Sequence, residues 1–504
     1  MIKNKGRSIL DKTNLQVESQ RKIFSKGLNG LKWNYIGTFI KMFTQYVVVI
    51  LLMRVVGPEA YGVMALALSV IALGNLLNDS GLGAFIIQSP QITKDDIRSC
   101  FTIQLLMSSL VGLSVFLVSD LIAGFLNSQE LAPVLKLLSL GFLLQAFGVI
   151  SFNLLKKEFF FKKVQLANIS SYILGYACLG VYLAFNGWGV WSLVYAHLAQ
   201  TFLNSAIMYA FTRHSIRLKM VFAKEYIKYF KFGSKALATN IINWVIDSLG
   251  TFSMGKVYGS FSLGVYNRTF TLLMYPITFI VNMIQVIMFP LYSKFQNDEK
   301  LTQKIFLTTT YVVALFMLPI SLICFLFRYE IFEVMFGEYG AECAEIAIPI
   351  ILSLPFISLT SICSPLFWGR GHVERELKAQ IKTVLVYIVL VLIFVNYNFK
   401  TFIWVILCVY ITRFLIIIIS AFDYVSLSPI EYFKSFIPSL KVSLIIMIIS
   451  IIVKQFNFGN LLSMICLLSV LSIVLGICFL KKKDMYFPPN IEKEFLNKII
   501  KRGE

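Results

Sequence analysis

The chain has 504 residues, of which 58% are hydrophobic and only 14% are charged, whereas soluble domains are about 45–50% apolar and about 25% charged. This composition argues against a soluble globular protein. The 46 Lys and Arg exceed the 26 Asp and Glu and give a net charge of +20. In so apolar a chain, basic residues are expected to mark the cytoplasmic side of a membrane rather than a surface for nucleic acid. We therefore expect a membrane protein with no nucleic-acid partner.

Fourteen apolar runs have about the length that a membrane-spanning helix needs, which is about 20 residues. They are 33–54, 61–87, 99–125, 131–155, 164–186, 188–211, 232–254, 262–290, 304–328, 344–367, 379–397, 401–421, 436–454 and 460–480. The pattern predicts an all-α integral membrane protein with about fourteen transmembrane helices.

The basic residues between these runs predict the topology. If the chain begins in the cytoplasm, 34 Lys and Arg lie in the inner tails and connections, five lie in outer connections and seven lie within the runs. Since basic residues are retained on the cytoplasmic side, we expect both termini to be cytoplasmic. The eight cysteines and three histidines show no spacing typical of disulfides or metal ligands, so we expect no metal and no cofactor.

The sequence contains an internal repeat. Residues 54–57 and 62–64 match residues 256–259 and 264–266, all displaced by 202 positions, and the same displacement lays the first six runs over the next six. Because six is an even number, both halves enter the membrane with the same orientation. Two parallel six-helix lobes around a central cavity predict a carrier that works by alternating access. The glycines at the turn of each half are explained by turn geometry alone.

The repeat also predicts how the chain is divided. The predicted segments are a basic tail with an interfacial amphipathic helix (1–32), an N-lobe (33–212), an amphipathic linker (213–231), a C-lobe (232–421), helices 13 and 14 (422–480), and a basic tail (481–504).

Four ionisable residues lie well inside the apolar runs of the first two helices of each lobe: Lys41, Asp79, Asp247 and Arg268. A charge in hydrocarbon is costly and usually faces a watery cavity or a partner, whereas charges near helix ends can snorkel to the headgroups. We predict that Lys41 and Arg268 bind an anionic substrate such as a pyrophosphate. Asp79 and Asp247 are predicted to form gating ion pairs or to couple transport to an ion. Alternatively, these charges brace the lobes as buried ion pairs, or Asp79 belongs to a helix-end turn.

Several stretches carry a family resemblance. Residues 51–68, 77–88, 186–198, 230–237, 259–272 and 289–298 are similar, in the same order, to the Wzx-like polysaccharide exporters of the multidrug/oligosaccharidyl-lipid/polysaccharide (MOP) superfamily. The resemblance implies a flippase that moves an undecaprenyl-pyrophosphate-linked oligosaccharide to the outer leaflet of a bacterial inner membrane, for capsule, exopolysaccharide or O-antigen lipopolysaccharide. The family's cationic cavity carries over to Arg268 and less directly to Lys41. Implied partners are H⁺ or Na⁺ as coupling ion and a polysaccharide polymerase with its chain-length machinery.

Three alternatives remain open from the sequence. A cation-coupled multidrug exporter of the same superfamily would bind lipophilic cations through acidic and apolar residues. A membrane glycosyltransferase or ligase would need a catalytic domain, and no connection is long enough to form one. A scaffold for envelope assembly would not transport anything. We expect a carrier rather than an enzyme.

Overall fold

A computed structural model describes residues 32–79, 82–89, 92–219, 224–296 and 298–455, and all regular structure in these ranges is helical. The helices are α1 (Lys32–Val56), α2 (Pro58–Asn78), α3 (Leu82–Gln88), α4 (Lys94–Phe125), α5 (Leu131–Lys157), α6 (Phe161–Ser171), α7 (Leu179–Phe185), α8 (Val190–Thr212), α9 (Lys224–Lys294), α10 (Glu299–Leu326), α11 (Arg328–Phe336), α12 (Gly340–Ser361), α13 (Cys363–Gly369), α14 (Val373–Phe394), α15 (Phe399–Val425), α16 (Pro429–Lys434) and α17 (Ile437–Gln455). A π-helical segment, Tyr172–Cys178, joins α6 to α7, and a 3₁₀ turn, Gly337–Tyr339, precedes α12.

The helices confirm an all-α membrane protein. Within the described ranges, eleven helical segments are long and apolar enough to cross a membrane. Each predicted run up to residue 454 coincides with helices of the structure, although the run 188–211 coincides with α8, which is not among the eleven segments. The fourteenth run, 460–480, and the tails 1–31 and 481–504 lie outside the described residues, so the count of fourteen stays a prediction.

The predicted run 61–87 does not form one continuous helix. Residues 61–87 were expected to form a single span, but α2 ends at Asn78 and α3 begins at Leu82. The backbone N–H of Asp79 donates to the carbonyl of Asn75 and closes the last turn of α2. The helix stops here because the sequence from 78 to 81, Asn-Asp-Ser-Gly, consists of weak helix formers that favour caps and turns.

Side-chain caps fix the starts of several helices. Thr93 and Asp96 form a reciprocal capping box at α4, in which Thr93 Oγ1 accepts from the N–H of Asp96 at 3.1 Å and Asp96 Oδ2 accepts from the N–H of Thr93 at 2.9 Å. Asp298 and Asn398 cap α10 and α15 through backbone N–H groups three residues further on. Such caps typically contribute about 0.5–2 kcal/mol each. They place the helix starts at the ends of the apolar runs.

The chain forms two compact units, Met1–Asn267 and Arg268–Glu504. In the first unit, α5 is the central helix and packs against α2, α3, α4 and α8. In the second unit, α12 has the corresponding role and packs against α10, α11 and α15. The predicted lobes have other boundaries, which stay predictions.

A stripe of leucines covers one exposed face of α4. On α4 the exposed side chains recur every three or four residues, which places them on one helix face. They are Leu110, Leu113, Leu117 and Leu121. Continuous apolar stripes of this kind are aggregation-prone in water, whereas acyl chains of a bilayer solvate them. The surface of α4 therefore faces lipid.

Candidate functional site

Two turns that are 202 residues apart share one unusual backbone conformation. Gly57, between α1 and α2, has φ 80° and ψ 170°, and Gly259, within α9, has φ 79° and ψ 174°. Glycine adopts such positive φ values because it has no Cβ. Gly259 therefore divides α9 into two helices, 224–258 and 260–294, as Gly57 separates α1 from α2. We call each pair a hairpin, after the antiparallel course that the sequence predicts. The sequence repeat is also a structural repeat.

The two turns pack against each other through a second pair of glycines. A Cβ on Gly62 would overlap the carbonyl oxygen of Ser260, and a Cβ on Gly264 would overlap the carbonyl oxygen of Pro58. Ser260 is the repeat counterpart of Pro58, and Gly264 is the counterpart of Gly62. The contact is therefore reciprocal, as at a two-fold axis. We call these four residues the glycine contact.

The hairpins also touch further from the turns. Trp244 Nε1 donates a hydrogen bond of 2.8 Å to the carbonyl oxygen of Ser69 on α2. Gly255 lies against Leu66, because a Cβ at Gly255 would stand 2.7 Å from Leu66 Cδ2. The helix 224–258 and α2 are therefore also in contact away from the turns. Turn geometry accounts for Gly57 and Gly259, but not for Gly62 and Gly264, whose partner contact the sequence analysis missed.

The four predicted site residues lie at graded distances along the helices from the turn glycines. With a rise of 1.5 Å per residue, Arg268 lies about 14 Å beyond Gly259, Asp247 about 18 Å before Gly259 and Lys41 about 24 Å before Gly57. Asp79 lies about 33 Å beyond Gly57, which exceeds the roughly 30 Å of a hydrocarbon core. Along the helices, three of the four therefore lie closer to their turn glycine than one hydrocarbon thickness, and Asp79 is at a helix end.

The surroundings of these residues differ. Lys41 is half-buried in α1, and Arg268 is half-buried in the helix 260–294. Asp247 is exposed on the helix 224–258, and Asp79 is exposed at the C-terminal cap of α2. Lys41, Asp79 and Asp247 belong to the first unit, and Arg268 is the first residue of the second unit.

The helix that carries Lys41 is held by polar contacts to α6. Gln165 Nε2 donates to Asn34 Oδ1 at 2.6 Å, and Lys162 Nζ lies 4.7 Å from the centroid of the Trp33 ring. Gly37, one helical turn before Lys41, lets the Gln165 side chain approach the α1 backbone. These contacts hold the helix one to two turns from the Lys41 side chain.

The helix that precedes Asp79 is anchored by a buried amide. Asn78 Oδ1 accepts hydrogen bonds from Gln104 Nε2 at 3.1 Å and from Ser108 Oγ at 3.0 Å, both on α4. Such interhelical hydrogen bonds contribute about 0.6–2 kcal/mol within membranes. The exposed carboxylate of Asp79 is therefore attached to a fixed helix end.

The segment after α8 docks on the same end of the first unit. Lys219 Nζ pairs with Asp95 Oδ2 at 2.6 Å, and Arg98 Nε donates to Ser215 Oγ at 3.1 Å. His214 is buried against Ser151 Oγ, at 3.2 Å from its Nδ1. Burial lowers the pKa of His214 from 6.5 to about 4, because the charged imidazolium loses its hydration. The docked segment therefore contains a neutral imidazole at neutral pH.

A buried carboxylate organises one end of the second unit. Glu376 on α14 is 4% exposed and accepts hydrogen bonds from Trp368 Nε1 at 2.6 Å and from Ser364 Oγ at 2.9 Å. These donors lie on α13, the short helix that follows the break in the predicted run 344–367. The carboxylate thus ties α13 to α14.

Family comparison classifies the chain. A family model described as "Polysaccharide biosynthesis protein" matches residues 51–345, more than half of the chain. The chain belongs to this polysaccharide biosynthesis protein family. The matched region contains the whole glycine contact together with Asp79, Asp247 and Arg268, whereas Lys41 precedes it.

Members with curated names are similar over the same part of the chain. The lipopolysaccharide biosynthesis protein WzxC of Escherichia coli is 26% identical over 318 residues, which cover 62% of this chain and 64% of WzxC. The succinoglycan biosynthesis transport protein ExoT of Rhizobium meliloti is 23% identical over 335 residues, covering 65% and 66%. The teichuronic acid biosynthesis protein TuaB of Bacillus subtilis is 21% identical, covering 66% and 68%. The chain thus matches about two thirds of the length of these relatives.

Solved structures share the fold. A structure of the lipid II flippase MurJ in an inward closed conformation matches with a TM-score of 0.68 at 16% identity, covering 89% of this chain and 99% of MurJ. An inward-facing multidrug resistance transporter of the MATE family, in the MOP superfamily, matches with a TM-score of 0.58 at 18% identity, covering 78% and 97%. The family member described here therefore has a MOP-like fold.

Proposed function

We propose that this chain is a carrier, not an enzyme, that moves an undecaprenyl-pyrophosphate-linked oligosaccharide from the inner to the outer leaflet of a bacterial inner membrane. The glycine contact carries this proposal. It joins two repeated hairpins at their turns, and a contact of this kind can separate when rigid hairpins rock, as alternating access requires. The names of the relatives, which refer to lipopolysaccharide, succinoglycan and teichuronic acid, support an oligosaccharide cargo.

The orientation in the membrane follows from charge. Arg54 and Lys256 are the basic residues nearest the turns, and the positive-inside rule puts this sparsely charged side outside. Both termini are then cytoplasmic, and the glycine contact is at the outer ends of the hairpins. In the described conformation the outer turns are packed together, which supports entry of the substrate from the cytoplasmic side.

Lys41 and Arg268 bind the pyrophosphate in this proposal. Guanidinium and ammonium groups are the usual partners of phosphates. Arg268 is about 14 Å and Lys41 about 24 Å from its own turn glycine, which supports two cationic positions at different depths. A pyrophosphate passing outward would meet Lys41 first and Arg268 second.

Asp79 and Asp247 serve gating or coupling in this proposal. Asp247, at membrane depth and exposed on its helix, can load and release H⁺ or Na⁺ or pair with a cation of the pathway. Asp79 is at the cytoplasmic end of α2, where it can pair with a basic group only while that end is closed. The product feeds polymerisation into capsule, exopolysaccharide or O-antigen, with the polymerase machinery as the partner.

Accumulation of the lipid-linked precursor tests the function. Deletion of the gene should leave undecaprenyl-pyrophosphate-linked repeat units inaccessible to a glycosidase or periodate added outside intact spheroplasts. The wild-type gene should restore access, and Arg268→Ala should not. Lys136→Ala is the matched control, because Lys136 lies within a helix but pairs with the exposed Asp120 at 2.8 Å. Full rescue by Arg268→Ala would remove the proposed pyrophosphate site.

The same cells distinguish a multidrug exporter, which has a related fold. A drug carrier would leave the precursor accessible after deletion, and the deletion strain would accumulate lipophilic cations. That pair of results would reject the proposed function.

A further inference from the structure

The first unit contains an open pocket, with several amide side chains in its wall, that the proposed pyrophosphate pathway does not use. Its volume is about 310 Å³, and its walls come from α5, α6 and α8. Small-molecule sites in proteins typically measure about 300–1,000 Å³. The cavity is therefore large enough for a small ligand or for one part of a larger one.

The lining is polar but uncharged. One face of α8 contributes His197, Gln200 and Asn204, which recur every three or four residues, and Gln145 and Asn168 face them from α5 and α6. Ligand pockets usually combine apolar surface with a few placed polar groups, and polar groups inside a membrane are costly unless they have a partner. An amide-rich lining at this depth therefore favours a polar occupant.

Part of the lining is fixed and part is available. Asn204 Nδ2 donates to Asn168 Oδ1 at 2.9 Å and to Ser171 Oγ at 3.2 Å, which holds two of the amides in place. Among the residues that the structure describes, the side chains of Gln145, His197 and Gln200 form no hydrogen bond. Their donors and acceptors are therefore available to a ligand in the cavity.

Close backbone packing makes the cavity a defined space rather than a packing defect. Gly148 on α5 lies against Ser205 on α8, where an added Cβ would stand 2.9 Å from Ser205 Cα. Gly175 lies against the backbone of Gln200, and it belongs to the π-helical segment of the span 161–185. Single π turns are frequent at functional sites. The three helices are thus in tight contact around the opening.

The chemistry of the lining identifies the occupant. Amide and imidazole groups both donate and accept hydrogen bonds, which matches the hydroxyl and acetamido groups of sugars. Phe152 adds an aromatic ring to the lining, and Lys156 Nζ lies 4.7 Å from the centroid of that ring. No carboxylate is among the lining residues, which disfavours a metal ion. We propose that this cavity binds an uncharged sugar residue of the transported glycolipid, an assignment that rests on the proposed function.

Binding by two lipids that differ only in the sugar tests this site. The purified protein in lipid nanodiscs is titrated with the undecaprenyl-pyrophosphate-linked repeat unit, extracted from the deletion strain, and with undecaprenyl pyrophosphate. The wild-type protein should bind the glycosylated lipid more tightly. The variants are Gln145→Met, Gln200→Met and the double variant that carries both substitutions. Methionine has a side chain of similar length to glutamine but lacks the amide. The double variant should lose about tenfold of the sugar-dependent affinity, as expected for two hydrogen bonds between neutral groups.

The outcomes separate the site from the proposed function. Gln129→Met is the matched control, since Gln129 is exposed in the turn before α5, and it should leave both affinities unchanged. The site is supported when only the affinity for the glycosylated lipid falls. The site is overturned when the double variant keeps the difference in affinity between the two lipids, or when its affinities for both lipids fall by the same factor. It is also overturned when the variant instead abolishes a dependence of lipid binding on Na⁺. If the wild-type protein binds neither lipid, the proposed function fails as well.

Discussion

Replacement of Gly62 by alanine adds one methyl group where no space exists. The new Cβ would overlap the carbonyl group of Ser260, with the Ser260 carbonyl carbon at 2.6 Å and Cα at 2.9 Å. These are backbone atoms, which cannot rotate aside as a flexible side chain can. Overpacking of a tight contact costs about 1–3 kcal/mol. The cost applies only while the two turns are together, so it shifts the balance toward separated turns by about 5–150-fold.

Labelling of a cysteine at the turn measures this shift. In the Ser260→Cys background, a membrane-impermeant maleimide is added outside intact cells, and the labelling rate reports how often the turns separate. Gly62→Ala should raise that rate. Gly264→Ala, assayed with Pro58→Cys, should do the same, because its Cβ would overlap the Pro58 carbonyl.

A matched control separates the contact from a general effect of alanine. A Cβ at Gly124, near the end of α4, would meet nothing within 4 Å, so Gly124→Ala should leave the labelling rate unchanged. An unchanged or slower rate in a folded Gly62→Ala protein would refute the steric reasoning, and with it the role of the glycine contact in closing the outer end.

Three further predictions concern single contacts. Trp244→Phe removes the hydrogen bond to the Ser69 carbonyl and should lower the stability by about 0.5–1.5 kcal/mol, measured by thermal unfolding in detergent; an unchanged midpoint would contradict it. Trp368→Phe takes one of two donors from the buried Glu376 carboxylate and should cost about 1.5–3 kcal/mol in the same assay, whereas equal stability would mean that water replaces the indole. His214 has a pKa lowered to about 4 in the folded chain, so between pH 6.5 and pH 4 the unfolded chain takes up a proton that the folded chain does not, and stability falls with pH. His214→Gln should make the stability less dependent on pH between pH 6.5 and pH 4. Identical dependences of stability on pH in the two proteins would show that the pKa of His214 is not lowered by folding.

The fold could be predicted from sequence because it follows from apolar length and from repetition. Runs of about 20 apolar residues can only be helices in a bilayer, and the 202-residue displacement pairs Gly57 with Gly259 in the sequence. The end of α2 at Asn78 could not be predicted from hydropathy, because hydropathy is averaged over a window much longer than the four residues 78–81 and does not detect a local helix cap. At this position the low helix propensity of the residues, and not the hydrophobic pattern, determines where α2 ends.

The candidate site was predictable only in part. The charges at Lys41, Asp247 and Arg268 stand out in the sequence because hydrocarbon makes charge costly. The amides of Gln145 and Gln200 do not, because a neutral polar side chain costs much less in a membrane helix than a charge does, and these amides line a pocket only where three helices meet. The sequence indicates a polar face on α8, because His197, Gln200 and Asn204 recur every three or four residues. It does not indicate which residues of α5 and α6 lie opposite that face. Gly62 and Gly264 stand out in the sequence only because the 202-residue repeat pairs them.

The glycine contact has a consequence for the ancestry of the chain. A reciprocal contact is the kind that two identical half-length chains make across a dimer axis, where one substitution changes the interface twice. Fusion of the halves removes that constraint, since Pro58 and Ser260 now differ although they occupy corresponding places. Each side can then be adjusted separately, and the two hairpins of one chain can acquire different tasks on either side of a symmetric contact.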